Sequence, residues 1–492
     1  MGEQKSMKRF LATALFLHTT FLFLAIVANT QSEVCSYAAA AENRMVKVSK
    51  NADLSRICGE NITNTHYIFQ YSHDLSQYRD GVTIGDNCIL EFKKGGFANG
   101  RIKCRSVEIK GRKPRFHNAY IEICSADHVK IKNIIATYSF AVDDFVKISD
   151  SKDIEIENVK VMFDKGNRIR AIGEWIFTEG FDLTDCENVS FKKCAINNAK
   201  SRNVDSLHGS LACKNCNSII VDGCTSSGGY NEVFFFKFSN NVTIKNTIIN
   251  GGNGSGITLV GGENFVIDNC KSIDVGASGF SLNAKKILVN NCLVKNWHSY
   301  GGITMGHSPE YARTADVEVS NCIIENDSGK DHPDAIWAFG GVSEGVIRIH
   351  DCKMKTPRIC TFDFIYKDGP VKLDLRNNYI NVIKAEGPAA TIECFRASGN
   401  YNLVIENNTF IGGAGITGYV RPSGKQPASN WIIKGNTFKK LGEMPIITPR
   451  TKENVSNGKF EFTNNVIEKS RSVDDLLNIP RYEKIIVHGN KN

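Results

Sequence analysis

Two stretches decide the fold: Phe265-Val266-Ile267-Asp268-Asn269-Cys270 and, 22 residues further on, Ile287-Leu288-Val289-Asn290-Asn291-Cys292. Both read apolar, x, apolar, x, Asn, Cys. The alternation has the two-residue period of a strand with one buried face. Asn stands where the chain has to turn, because it tolerates left-handed backbone. The same unit recurs at Val129/Ile131/Asn133, Ile154/Ile156/Asn158, Ile219/Val221/Gly223 and Val242/Ile244/Asn246. It continues at Val317/Val319/Asn321, Ile347/Ile349/Asp351, Leu373/Leu375/Asn377, Leu403/Ile405/Asn407, Phe460/Phe462/Asn464 and Ile485/Val487/Gly489. Neighbouring copies lie 22 to 35 residues apart, which is the period of a solenoid.

No amphipathic helix of useful length separates the units, which excludes leucine-rich, ankyrin and helical repeats. What remains is a coil of short strands and turns, a parallel β-helix with coils about 4.8 Å apart. The turn Asn is expected to bond the Asn above and below it in a ladder. Cys194, Cys224, Cys270, Cys292, Cys322 and Cys352 share the next position and are expected to point inward as a buried column. Distance alone would allow disulfides between adjacent coils, but nothing in the sequence requires them. Cys213 and Cys216 have metal-ligand spacing, yet no second pair completes a zinc site, and the register sends Cys213 inward.

Composition agrees with this. The 492 residues include 42 Gly and only 11 Pro, which suits tight turns between short strands. A chain that is 41% hydrophobic and 23% charged is neither disordered nor a multi-span membrane protein. The net charge of +8 is small for the length and scattered, which does not indicate nucleic acid as a partner. Lys5, Lys8 and Arg9 precede an apolar run from Phe10 to Ala28, and the small residues Ser36 and Ala38 follow. This pattern predicts a signal peptide over 1–38, and hence a secreted, periplasmic or cell-surface protein. With no second hydrophobic span, no membrane-crossing segment is expected. Asp53-Leu54-Ser55-Arg56-Ile57 predicts a short helix inside an N-terminal cap segment, 39–80, ahead of a β-helix domain over 81–492.

On these units the chain resembles the right-handed parallel β-helix proteins of the pectate-lyase-like superfamily, from about residue 80 to 492. Asn87 to Gly100 is similar to the opening coil of secreted bacterial members. The resemblance implies an all-β, right-handed solenoid in which the strand ahead of each Asn unit floors a polysaccharide groove. Those strands align as Val146-Lys147-Ile148, Phe181-Asp182-Leu183, Leu211-Ala212-Cys213, Phe234-Phe235-Phe236, Ile257-Thr258-Leu259, Phe280-Ser281-Leu282, Ile303-Thr304-Met305, Ile336-Trp337-Ala338 and Thr391-Ile392-Glu393-Cys394.

Asp143-Asp144-Phe145-Val146-Lys147-Ile148 is similar to the paired-Asp strand of polygalacturonase-type glycoside hydrolases. Leu207-His208-Gly209 resembles their Gly-His-Gly, with Leu in place of the first Gly. Lys237 fits the Lys of their Arg-x-Lys strand, with Phe235 in place of Arg. The resemblance implies a carbohydrate-active enzyme that cleaves glycosidic bonds, by hydrolysis in the leading reading and without a cofactor or metal. Asp144 and Asp182 would then be acid and base, His208 would orient or relay, and Lys237 would bind a substrate acid group. Asp143, Arg168, Arg170, Trp175, Arg202, Lys214 and Trp337 would bind substrate, with Glu174 and Asp205 on the same long loops. A second cluster holds His307, Asp334, Trp337, Asp363 and Glu393, with Asp363 and Glu393 one coil apart on one face. Two rival readings stay open. One is a uronate lyase or epimerase using Lys237 or His208 with Arg170, which would accommodate calcium. The other is a non-catalytic, adhesin-like surface protein.

Overall fold

The computed structural model describes residues 44–139, 144–163, 180–197, 209–229, 232–306, 314–327, 334–338, 345–356, 358–363, 371–383, 395–398, 401–412, 416–419, 430–439, 447–449, 456–468 and 482–491. The expected signal peptide lies outside them. Among the described residues there is one helical turn, Leu54–Ile57, and 45 strands joined in a single hydrogen-bonded sheet. Every pairing is to the coil before or after and is parallel, as in Val129–Lys132 beside Lys152–Glu157 and that strand beside Glu187–Lys192. The chain is a right-handed parallel β-helix, as its sequence predicts. No helix among the described residues is long and apolar enough to cross a membrane.

Each full coil contributes to three walls. The Asn units form one, running from Arg44–Val48 to Tyr482–His488. A second runs from Ile135–Tyr138 to Val466–Glu468. The third, here called the groove wall, stacks Val146–Ser149, Phe181–Thr184, Leu211–Lys214, Phe234–Lys237 and the strands above them. Alternate residues point inward and fill the core. Val146, Phe181, Leu211, Phe234, Ile257, Phe280, Ile303 and Ile336 make one such buried column. Parallel sheets are stable only when such faces are covered, and here each coil covers the next. Where the second wall meets the groove wall, Gly256 and Gly279 occupy successive coils. A Cβ on Gly279 would lie 2.3 Å from the Val294 side chain, and one on Gly256 the same distance from Ser272 Oγ.

The turn after the Asn unit has the predicted conformation. Asn133, Asn158, Asn246, Asn269, Asn291 and Asn321 all have φ between 49° and 59°. The expected ladder forms in part: Asn158 Nδ2 donates to Asn133 Oδ1 at 2.7 Å and Asn269 Nδ2 to Asn246 Oδ1 at 2.8 Å, whereas Asn246, Asn291 and Asn321 donate to Asp222, Asp268 and Asn290, one position before the turn. The Cys column is buried, and its members stand as free thiols. Cys270, Cys292 and Cys352 each donate Sγ–H to a carbonyl of the preceding coil, at 3.4 to 3.7 Å. Above Cys352 the position changes to Asn378, Asn408, Asn436, Asn465 and Asn490. These Nδ2 groups donate to the equivalent carbonyls (Ile349, Leu375, Ile405, Ile433, Phe462) at 2.8 to 3.1 Å. Each Oδ1 accepts from the backbone N–H of the coil below, so both ends of each of these amides are bonded.

Two boundaries differ from expectation. Arg44–Val48 already pairs residue for residue with Thr65–Phe69, which pairs in turn with Cys88–Phe92. Coils therefore begin well before residue 81, and the stretch drawn as a cap supplies two of them. The Asn-Cys signature is missing there, although Tyr67 and Phe69 keep the buried alternation. The short helix is present, with the Asp53 side chain accepting from Ser55 N–H as N-cap. In the upper coils, Cys360–Asp363 pairs with Phe395–Ser398, not with Thr391–Cys394. Phe395 and Ala397 offer the same alternation four residues later. Asp363 is therefore opposite Ser398, and the pairing with Glu393 does not hold.

Candidate functional site on the groove wall

Register places one outward residue from each coil in a vertical row: Lys147, Asp182, Ala212, Phe235, Thr258, Ser281, Thr304 and Trp337. Two positions along each strand a second row stacks Ser149, Thr184, Lys214, Lys237, Val260 and Asn283. At about 4.8 Å per coil, the first row spans roughly 34 Å from Lys147 to Trp337. Residues nearly 200 positions apart in sequence thus share one surface.

The lower end of the wall is charged and open. Lys147 is exposed, and Lys214 and Lys237 are neighbours on consecutive coils. Lys214 Nζ reaches diagonally to Asp182 Oδ1 at 3.0 Å, and the Asp182 side chain keeps 13% exposure. Lys237 Nζ sits 5.5 Å from the Phe238 ring centroid. One cation therefore pairs with Asp182, while Lys147 stands on the coil below it and Lys237 two coils above. Asp144 lies on the coil below Asp182, three positions ahead of Lys147, and is buried at 7% exposure. It does not face Asp182 across the coils.

The central coils differ. Thr258, Ser281, Asn283 and Thr304 lie on the outward side but are buried, making a recessed neutral floor. Asn283 Nδ2 donates to Ser281 Oγ at 3.1 Å, and the Thr304 and Ser278 hydroxyls bond at 3.1 Å. At the edge of this floor stands Glu232. Its Oε2 accepts from Ser255 N–H at 2.9 Å and from Thr258 Oγ1–H at 2.5 Å. Burial raises its carboxyl above the ordinary glutamate value, and the bonds from Thr258 and Ser255 only partly oppose that. Glu232 precedes Phe234 by two positions, as Asp144 precedes Val146, so the two acids occupy the same corner three coils apart. The sequence reading passed over Glu232; its equivalence to Asp144 in the aligned strands was the available signal.

The upper end carries Trp337, partly exposed, with the exposed Tyr300 ring 6.4 Å away and tilted by 39°. Tyr300 has φ 63°, a conformation uncommon outside Gly and Asn. Asp334, expected in the second cluster, is fully buried. Of the sequence-derived candidates, the structure brings Asp182, Lys214 and Lys237 together and leaves Trp337 near the far end of the same wall. Asp143, Arg168, Arg170, Trp175, Arg202 and His208 lie outside the described residues, as do Glu174, Asp205, His307 and Glu393. Among the described residues, no three His, Cys, Asp or Glu side chains are grouped to hold a metal ion. Cys213 is buried as its register requires.

Residues 124–312 match the family model described as right handed beta helix region. No curated protein matches the chain. Among solved structures, it is similar to the periplasmic alginate epimerase AlgG at 9% identity, with 75% of this chain and 77% of that one covered and a TM-score of 0.35. It is also similar to the catalytic domain of a GH87 α-1,3-glucanase (11% identity, 92% and 70% covered, TM-score 0.36) and to the receptor-binding tailspike of bacteriophage Det7 (11%, 84% and 77%, TM-score 0.37). At TM-scores of 0.35 to 0.37 these likenesses add nothing to the fold seen in the chain itself.

Proposed function

We propose that the groove wall binds an acidic polysaccharide and that the protein cleaves its glycosidic bonds, by hydrolysis. The observation that carries this reading is the Asp182–Lys214 ion pair with Lys147 and Lys237 on nearby coils of the same wall, at the foot of a polymer-length row held in register by the coils. The lysines suit the carboxylates or other acid groups of a polymer. Asp182 supplies the carboxylate that draws a proton from the attacking water. Trp337 with Tyr300 offers a stacking surface for a sugar ring. That these neighbours include a glucanase and an epimerase agrees with a carbohydrate-active role without adding weight to it.

A second reading, elimination at a uronate, is favoured by one feature of the same cluster: Lys outnumbers Asp three to one beside Asp182, and elimination needs a base and a neutralised carboxylate, not a pair of acids. Incubating the purified protein with a panel of acidic and neutral polysaccharides separates the readings. New reducing ends without absorbance near 232 nm support hydrolysis. New absorbance there supports elimination. Binding with no product on any glycan would leave a non-catalytic receptor and overturn the proposal.

A further inference from the structure

Cleavage of a glycosidic bond needs a proton delivered to the leaving oxygen, and the cluster around Asp182 supplies none: Lys214 is occupied in an ion pair with Asp182. A proton donor on this wall has to be a group that is neutral while bound to substrate, held in one orientation and open on one side. At Glu232 geometry fixes the orientation, and burial favours the neutral form against its two hydrogen-bond donors. Ser255 N–H and Thr258 Oγ1–H both serve Oε2, which fixes the plane of the carboxyl group. Oε1 is the oxygen left outside these two hydrogen bonds. Both donors come from the next coil, whose Thr258 stands in the outward row itself. Among the described residues, neutral Phe235, Thr258, Ser255 and Ser281 line this part of the wall, Lys237 stands five positions further along the same coil, and no cation is paired with Glu232.

We propose that Glu232 is the proton donor to the glycosidic oxygen, acting through Oε1; this rests on the cleavage reading above. In the step, the Oε1–H proton passes to the bridging oxygen as the bond from that oxygen to the anomeric carbon breaks and its electron pair stays on the oxygen. Water supplies hydroxyl to the anomeric carbon and releases its other proton to solvent. Solvent returns a proton to Glu232. One linkage and one water thus give two hydroxyl ends. The rigid, partly buried acid spends no time rotating between useful and useless orientations, which is how a positioned acid gains its 10²- to 10⁴-fold.

The test uses the full chain and whichever polysaccharide of the panel the wild type cleaves. Glu232→Gln keeps the shape and both hydrogen-bond donors' acceptor but has no proton to give; kcat is expected to fall at least 100-fold with KM unchanged. Thr258→Val removes one donor that favours the carboxylate, so the alkaline limb of the pH–rate profile is expected to move to higher pH while the acid limb stays. If the wild type cleaves and Glu232→Gln keeps more than a tenth of kcat, or Thr258→Val leaves the alkaline limb in place, Glu232 is not the donor although the cleavage reading survives. If the wild type cleaves nothing on the panel, the cleavage reading itself fails and takes this assignment with it. A circular-dichroism melt matching wild type shows that a loss in either variant is not unfolding.

Discussion

The two ends of the groove wall are built from the same strands but hold their acids in opposite ways. At the lower end the largely covered Asp182 is paired with Lys214, with Lys147 on the coil below and Lys237 on the coil above that lysine. Three coils into the wall, Glu232 is partly buried and meets only neutral donors, Ser255 N–H and Thr258 Oγ1. Burial without a paired cation, as at Glu232, favours the protonated carboxyl. One repeating scaffold thus makes both chemical characters by changing the residues on adjacent coils, with no change in backbone. The wall's division of labour lies in its side chains, which is why the fold by itself does not give the reaction.

The comparison can be broken at either end. The largest effect is expected from Asp182→Asn, which should lower kcat by about 100-fold as a positioned base is lost; a change confined to KM would mean that Asp182 only holds Lys214 in place. Next, replacing Lys214 and Lys237 together by Ala should raise KM by about tenfold and flatten its salt dependence, because exposed charges are screened within about 10 Å at 0.1 M salt. Equal salt dependence in the variant and the wild type would remove the anionic end from the account. Trp337→Ala should weaken polymer binding by about 1 kcal/mol, the size of an aromatic contact, while leaving cleavage of the shortest accepted oligosaccharide intact. An unchanged Kd for the full polymer, measured by calorimetry, would confine binding to the charged end.

The smallest effect is on stability. In the folded protein the Glu232 carboxyl is raised above its ordinary value near 4.5, chiefly by burial. Below that value the folded and unfolded chains both carry the proton, so Glu232 adds no pH dependence. As pH rises through the ordinary value toward the raised one, the unfolded chain ionises first and the native state loses stability relative to it. Glu232→Gln has no such loss. The difference in Tm between the variant and the wild type should therefore move in the variant's favour as pH rises from 4 to 7. A constant difference across that range would show that Glu232 ionises in the folded protein as it does in the unfolded one.

Much of the architecture was legible because the pattern that encodes it is local and repeated. Alternation of the kind in Ile287, Val289, Asn291 and Cys292 specifies a strand, its buried face and its turn within six residues. The groove-wall register from Val146 to Ile336 follows from it, and so does the row containing Asp182, Lys214 and Lys237. Coils lacking the Asn-Cys signature were harder. Arg44–Val48 and Thr65–Phe69 pair in the sheet but share only their alternation with it, and the strand near residue 395 was placed four residues early because two equivalent alternations abut. The second ladder, Asn378 to Asn490, was also hidden: a doubled Asn reads as a turn, and only stacking shows the second one buried and bonded as the Cys below it is.

The site was legible in part for a different reason. Position on the outward row is a matter of period, whereas the state of a carboxyl depends on what stacks above it. Asp144 and Glu232 occupy equivalent corners, yet nothing in their own neighbourhoods in sequence tells that Ser255 and Thr258 will close over one of them. Those partners lie 23 and 26 residues away, one coil on. Asp144 drew attention because it forms a doublet with Asp143, while Glu232, a single acid ahead of three phenylalanines, reads as the edge of a core strand.

The central claim is that a polymer lies along the groove wall, and lysine footprinting tests it most directly. Glu232→Gln protein would be acetylated with and without the polysaccharide that the wild type cleaves, and each lysine's reactivity read by mass spectrometry. The account predicts that Lys147, Lys214 and Lys237 become protected while Lys130 on the Asn wall and Lys353 on the second wall react as before. Protection of Lys130 or Lys353 with the three groove-wall lysines unchanged would put the polymer on another face and contradict it.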